Sequence, residues 1–304
     1  MTAAAARASL LTCDALLGAD VEVRDLAEAQ RFHELLFTGV SGRWGADDGS
    51  AWFSAGGQTV RLVAVAEPRV FPDGGQHLAY RLPREHVEAV VQRLTEAGHT
   101  VEWWREDHPA EHEAMAYTQD PSGNRVQLVP AAEPEQPLDH VMLEVHDLEL
   151  AEVFWTRVLG GVIDYCHGRR SRDYTEAVAW GEGTDPCAPW TRLWPGAGIG
   201  NPGRAQRRSA HPNQQLFLRF GPDRVGFVLA PRHRQEVPEE LISGTPRIVL
   251  RSAAPASEVI ETLIARAVDL RPEERLRIPW LRTGATVSLR DPGGNFVAVQ
   301  CAGD

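Results

Sequence analysis

The sequence predicts an α+β protein of four βαβββ modules, arranged as two tandem domains with cupped mixed sheets. Three observations predict it. A strand–helix unit occurs twice: VEVRDLAEAQRFHELLFTGV (Val21–Val40) aligns without gaps on LEVHDLELAEVFWTRVLGGV (Leu143–Val162), sharing E-V-x-D-L, an Ala, a Phe and the closing Gly-Val. A turn of like composition precedes the last apolar strand of each half, Asp120-Pro121-Ser122-Gly123-Asn124 and Asp291-Pro292-Gly293-Gly294-Asn295. The length of 304 residues, with 43% hydrophobic and 24% charged content, is generous for one globular domain and comfortable for two.

The elements follow in order. Residues 1–13 are Ala-rich, without the basic start or long apolar run of a signal peptide, and are expected to form a disordered tail. Ala19–Val23 reads as a strand and Leu26–Phe37 as a helix. Strand-like pieces follow near Gly42–Ala46, Ser50–Ala55 and Thr59–Val65, the last two joined at Gly56-Gly57. His77–Leu82 opens a second module, whose helix Glu85–Ala97 puts Val87, Val90, Val91 and Leu94 on one face before Gly98 stops it. Thr100–Arg105, Ala114–Thr118 and Arg125–Val129 complete that module and a first domain over residues 14–130.

A polar, Pro-bearing linker, residues 131–137, separates it from a second domain over 138–304. In Asp139–Val145, period two sends Val141, Leu143 and Val145 to one face and His140, Met142 and Glu144 to the other. Asp147 caps a helix whose apolar stripe ends at Gly160-Gly161. Val162–Tyr165, Gln215–Phe220 and Arg224–Leu229 close the third module. The fourth runs Arg247–Arg251, a helix Ser257–Ala267, Ala285–Leu289 and Phe296–Val299. Residues 166–212 form an insertion with no counterpart in the first half, rich in Gly and Pro and carrying Trp180, Trp190 and Trp194.

Composition removes several functions. No apolar run approaches a membrane span. A net charge of −11 speaks against a nucleic-acid partner and mildly for a neutral or cationic small molecule. Four scattered cysteines (13, 166, 187, 301) suit reduced thiols and a cytoplasmic location. No nucleophile elbow, phosphate loop or nucleotide fingerprint is present.

The duplicated modules, the E-V-x-D-L helix entry and the D-P-x-G-N turn resemble the vicinal oxygen chelate superfamily of glyoxalases, bleomycin-resistance proteins and extradiol dioxygenases, in its two-domain form. The resemblance covers roughly residues 17–300 apart from the insertion. It implies a metal held in the cup of paired modules, by a His on a module's first strand and a carboxylate on its last. Carried over position by position, the first domain offers Gly18, Arg61 or Val63, His77 and Gln127. The second offers His140, Gly226 or Val228, no His at its fourth opening strand, and Ala298. Each domain then keeps one imidazole, short of the three or four ligands that zinc or non-haem iron requires.

His77 and His140 are therefore either ligand-binding residues or remnants packed against neighbours. Glu144 lies about 13 Å along the strand from His140, too far to share an ion with it, and is expected to be a rim carboxylate. The loop His108–Glu113 lacks the helical spacing of a zinc motif. The Trp-bearing insertion is either a lid over a flat ligand or a flap packed on the neighbouring domain.

The expectation is metal-independent binding, or sequestration, of a small aromatic or cationic molecule, with no cofactor. His140, Met142, Trp180, Trp190 and Trp194 form the main pocket, with His77 and Gln127 in the other cup. The alternative is a dioxygenase-like or glyoxalase-like enzyme with a divergent metal site or metal-free chemistry. A small-molecule ligand, no nucleic acid, no membrane, and a possible homodimer complete the expectation.

Overall fold

The computed structural model describes residues 9–70, 75–104, 115–132, 135–145, 148–167, 215–229, 247–266 and 280–303. The first module is β1 (Cys13–Val23), α1 (Leu26–Leu36), β2 (Arg43–Asp47), β3 (Ser50–Ala55) and β4 (Gln58–Ala64). The second is β5 (His77–Pro83), a 3-10 turn (Arg84–His86) running into α2 (Val87–Glu96), β6 (Glu102–Trp104), β7 (Met115–Gln119) and β8 (Arg125–Ala131). The third is β9 (Leu138–Val145), α3 (Leu148–Glu152) continuing as a π-helix (Val153–Val158), β10 (Val162–His167), β11 (Gln215–Phe220) and β12 (Asp223–Leu229). The fourth is β13 (Ile248–Pro255), α4 (Ala256–Arg266), β14 (Trp280–Thr283), β15 (Thr286–Arg290) and β16 (Phe296–Ala302).

All four modules are βαβββ units, and in each the opening strand runs parallel to the last. Among the described residues two eight-stranded sheets result, in the orders β14-β15-β16-β13-β1-β4-β3-β2 and β10-β11-β12-β9-β5-β8-β7-β6. Modules one and four thus form an outer-module sheet, and modules two and three an inner-module sheet. Each is joined at an antiparallel seam of opening strands, β1 with β13 and β5 with β9.

This pairing departs from the one expected of residues 14–130 and 138–304, and the connections explain why. β8 and β9 flank β5, so the short stretch 131–137 has to cross only about 10 Å, two strand spacings, to keep modules two and three in one sheet. The longer stretch 65–76 carries the chain from one sheet to the other. It is strapped to both: Arg69 donates from its backbone and guanidinium to Glu22 on β1, and Gly75 N–H donates to Glu144 on β9.

Side-chain alternation sorts the faces. Val21, Val23, Val141, Leu143 and Val145 enter the core beneath the helices, with Phe32, Phe154 and Trp155 fully buried among them. The two Asp-Pro turns stand at equivalent places and do the same work. Asp120 Oδ1 accepts from Ser122 N and Asn124 N, and Asn124 Nδ2 donates to the Glu22 carbonyl at 2.9 Å. Asp291 Oδ1 accepts from Asn295 N, and Asn295 Nδ2 donates to the Glu144 carbonyl at 3.3 Å. Each turn therefore pins the last strand of a module in one sheet to an opening strand of the other sheet.

Three local features differ from expectation. β1 begins at Cys13, and Leu10 N and Leu11 N donate to Arg157 O and Val158 O, so this piece of the expected tail lies along the end of the π-helix. Glu144 and Glu22 are buried, not on a rim: Arg69 sits on Glu22 and the Gly75 backbone on Glu144. β14 is an added edge strand whose four residues are all exposed.

Candidate functional site

In the inner-module sheet the seam sets His77 opposite Met142 and Ala79 opposite His140. Gln127 on β8 stands beside Ala79, and Gly226 on β12 beside Met142. The two opening strands thereby bring their histidines together. His77 Nε2 lies 3.1 Å from His140 Nε2, the rings inclined at 75°. The expectation of one imidazole per cup fails here, since modules two and three share a sheet.

The second nitrogen of each ring is committed. His77 Nδ1 is 2.7 Å from the Gly75 carbonyl oxygen, and His140 Nδ1 is 2.8 Å from Asp139 Oδ2. A carbonyl and a carboxylate only accept, so both Nδ1 atoms carry hydrogen. In the neutral rings each Nε2 then offers a lone pair, and the two lone pairs face each other. Such a pair is stabilised by an electrophile between or beside the nitrogens, a proton or a metal ion.

A bulge makes the Asp139 contact possible. Ala79 pairs with His140 but Tyr80 with Leu138, so β9 holds one extra residue there. A bulged residue is turned out of the regular alternation, which lets Asp139 reach the ring of its immediate neighbour. Its other oxygen accepts from Arg81 Nε at 3.0 Å. Burial opposes ionisation of Asp139, but the hydrogen bond from His140 and then the charge and hydrogen bond of Arg81 outweigh it and hold the carboxyl well below its usual range. Burial, then the neighbouring His140 and Arg125, push the His77 ring well below 6.5, which keeps it neutral.

Gln127 completes the patch. It is 4% exposed, its Nε2 donates to Met115 Sδ at 2.8 Å, and its side chain reaches the His77 ring. Two imidazole nitrogens bound side by side to one ion at about 2.0–2.1 Å stand roughly 3 Å apart, which is the spacing found here. The fourth position, Gly226, has no donor, and a Cβ there would press on Phe217 and Met142. Among the described residues no group of three His, Cys, Asp or Glu gathers. The donors fit an ion held by His77 Nε2, His140 Nε2 and the carboxamide Oε1 of Gln127.

The outer-module sheet does not fit a metal. At the matching places it has Gly18, where a Cβ would run into the Thr59 carbonyl, and Ala298, while Asp20 is tied to Arg61 at 2.5 Å. What it has instead is an open cavity of about 690 Å³ lined by residues of β1, β4, β13, β15 and β16.

Of the expected site residues, His77, His140, Met142 and Gln127 all lie on the inner-module sheet, and Met142 is 2% exposed. None of them lines the 690 Å³ cavity. Trp180, Trp190 and Trp194, like the loop 108–113, lie outside the described residues. Sequence reasoning missed Asp139 and Gly75 as partners of the rings. Asp139 was visible as the neighbour of His140, but only the bulge turns it toward that ring.

Residues 17–128 match the Glyoxalase/Bleomycin resistance protein/Dioxygenase superfamily. No curated protein matches the chain. Among solved structures, glyoxalase I from Zea mays is similar at 17% identity over 93% of this chain and 91% of that one, with a TM-score of 0.55. A mutant of that enzyme gives 17%, 95%, 94% and 0.57. A candidate dioxygenase from Bacillus subtilis gives 11%, 96%, 87% and 0.57. At these identities the likeness establishes the fold. No helix among the described residues is long and apolar enough to cross a membrane.

Proposed function

We propose, for a chain that over residues 17–128 belongs to the Glyoxalase/Bleomycin resistance protein/Dioxygenase superfamily, that it is an enzyme acting on a small molecule at the His77–His140 pair with a divalent metal ion. The observation that carries this reading is the pair of facing Nε2 atoms, 3.1 Å apart, with both Nδ1 atoms already satisfied. A bound ion would supply Lewis-acid polarisation of a substrate oxygen.

The chain's own residues do the rest. Asp139 and the Gly75 carbonyl fix the tautomer and tilt of each ring, the outer-shell arrangement that metal-binding histidines use. Tyr117 and Phe217 pack against the rings, at 5.8 Å from His77 and 5.4 Å from His140, and keep bulk water from them. Gln127 Oε1 supplies a third, neutral donor.

Melting temperature tests the assignment. Added Zn²⁺, Mn²⁺ or Fe²⁺ should raise it by mass action in the wild type and leave His77→Gln and His140→Gln unmoved. Equal shifts in all three proteins would remove the site.

A second reading has its own support. Metal-independent binding of a small molecule, the sequestering role, is favoured by the outer-module cup, where Gly18 and Ala298 leave room in place of ligands. It predicts a small molecule that stabilises metal-free His77→Gln protein as strongly as the wild type. Among the described residues of that lining there is no aromatic ring to stack on the aromatic ligand first expected of such a role.

A further inference from the structure

The geometry points to the outer-module cup as a binding site for an uncharged, non-aromatic molecule bearing neighbouring hydroxyl groups, a polyol or sugar. This goes beyond the metal reading and shares only its cavity with the sequestration reading.

The floor of the cup is one row across five strands. Thr59 pairs with Gly18, Gly18 with Val249, Val249 with Ala298 and Ala298 with Ser288. Small residues at the centre and a hydroxyl at each end make a shallow apolar floor with polar margins. Two residues along β1 stands the Asp20–Arg61 pair. Two residues the other way along β16 stands Gln300, between Arg251 and Thr286. At about 3.3 Å per residue, the two polar walls are roughly 13 Å apart, room for one or two sugar rings.

Charge decides the class of ligand. Among the described residues, the charged ones lining the cavity are Asp20, Arg61 and Arg251. Asp20 accepts from Arg61 Nη2 at 2.5 Å, and Arg251 Nε donates to Asp14 at 2.8 Å, so each already has its counter-ion. A charged ligand would have to compete with these pairs. A neutral one can use them, because a hydroxyl both donates and accepts. Arg61 Nε is buried and makes no hydrogen bond. A vicinal diol can donate one hydroxyl to Asp20 and accept from the exposed part of the Arg61 guanidinium with the other, leaving the ion pair intact. Ser288, Thr286 and Gln300 face the remaining hydroxyls. Among the described lining residues there is no aromatic ring, so they offer a flat ligand no stacking.

Saturation-transfer NMR on the full chain tests this, using glucose, myo-inositol and trehalose beside glucuronate, glucosamine and catechol. The neutral polyols should bind, with an affinity that low and high salt leave within about twofold. Ser288→Phe, filling the cup, should abolish the signal with the circular dichroism spectrum unchanged. Asp20→Asn should weaken it about tenfold or more, as loss of a charged acceptor does. His140→Gln should leave it unaltered, so failure of the metal site and failure of this cup are separate outcomes. Preferential binding of glucuronate, glucosamine or catechol would overturn the proposal. So would silence from every polyol, or polyol binding that survives Ser288→Phe.

Discussion

Replacing Asp139 probes the inner-module site without touching a proposed metal donor. Its carboxylate accepts from His140 Nδ1 at 2.8 Å and from Arg81 Nε at 3.0 Å, and its side chain is only 19% exposed. Asp139→Ala removes the acceptor that fixes the His140 tautomer, so the hydrogen can move to Nε2 and block the lone pair aimed at His77. Outer-shell losses of this kind cost about 10- to 100-fold in metal affinity, or roughly 1.4–2.7 kcal/mol. Asp139→Asn keeps an acceptor oxygen but loses the charge, and should fall between Asp139→Ala and the wild type. The partly exposed Arg81 also loses its partner, a loss of about 1 kcal/mol or less in stability. Competition for Zn²⁺ against a chromophoric chelator measures the first effect, and urea unfolding the second. If Asp139→Ala binds Zn²⁺ as tightly as the wild type, the tautomer argument is wrong.

Three further outcomes follow from the fold. Residues 1–132 and 133–304 produced separately should each fail to give a sharp unfolding transition, and co-expression should restore it, because β1 needs β13 and β5 needs β9; two independently folding halves would contradict the sheet order. Burial drives the wholly enclosed His33 down to about 4, so the folded chain resists a proton that the unfolded chain accepts near 6.5. Its contribution is complete above pH 6.5 and is lost as pH falls to 4, about 3 kcal/mol in all; His33→Gln should flatten that part of the urea-derived stability profile, and parallel profiles would refute it. Gly18→Ala should destabilise by about 1–3 kcal/mol or more in urea, since its methyl would meet the Thr59 carbonyl; unchanged stability would mean the β1–β4 approach is looser than it stands here.

Much of the fold was legible because local chemistry marks it. β3 and β11 fall where expected, Ser50–Ala55 and Gln215–Phe220, each an alternating run closed by a turn. The Asp-Pro turns were legible because Asp120 and Asp291 satisfy their own turn amides, a local interaction. β14 was not: Trp280–Thr283 is an exposed edge with no burial to imprint alternation. Module pairing was not either. Every opening strand carries the same pattern, and which two meet depends on connection lengths and contacts such as Cys13 with Ser252, far apart in the chain. That gap hid the site. His77 and His140 were both visible as cup residues, but their meeting depends on the β5–β9 seam, which no local signal specifies.

Metal content tests the central claim most directly. The full chain, purified without chelator or added metal, then loaded and dialysed, should retain one divalent ion per chain by plasma mass spectrometry. His77→Ala and His140→Ala should each retain far less, with unchanged circular dichroism. A wild type that retains no ion after loading, or alanine variants that retain as much, would contradict the account.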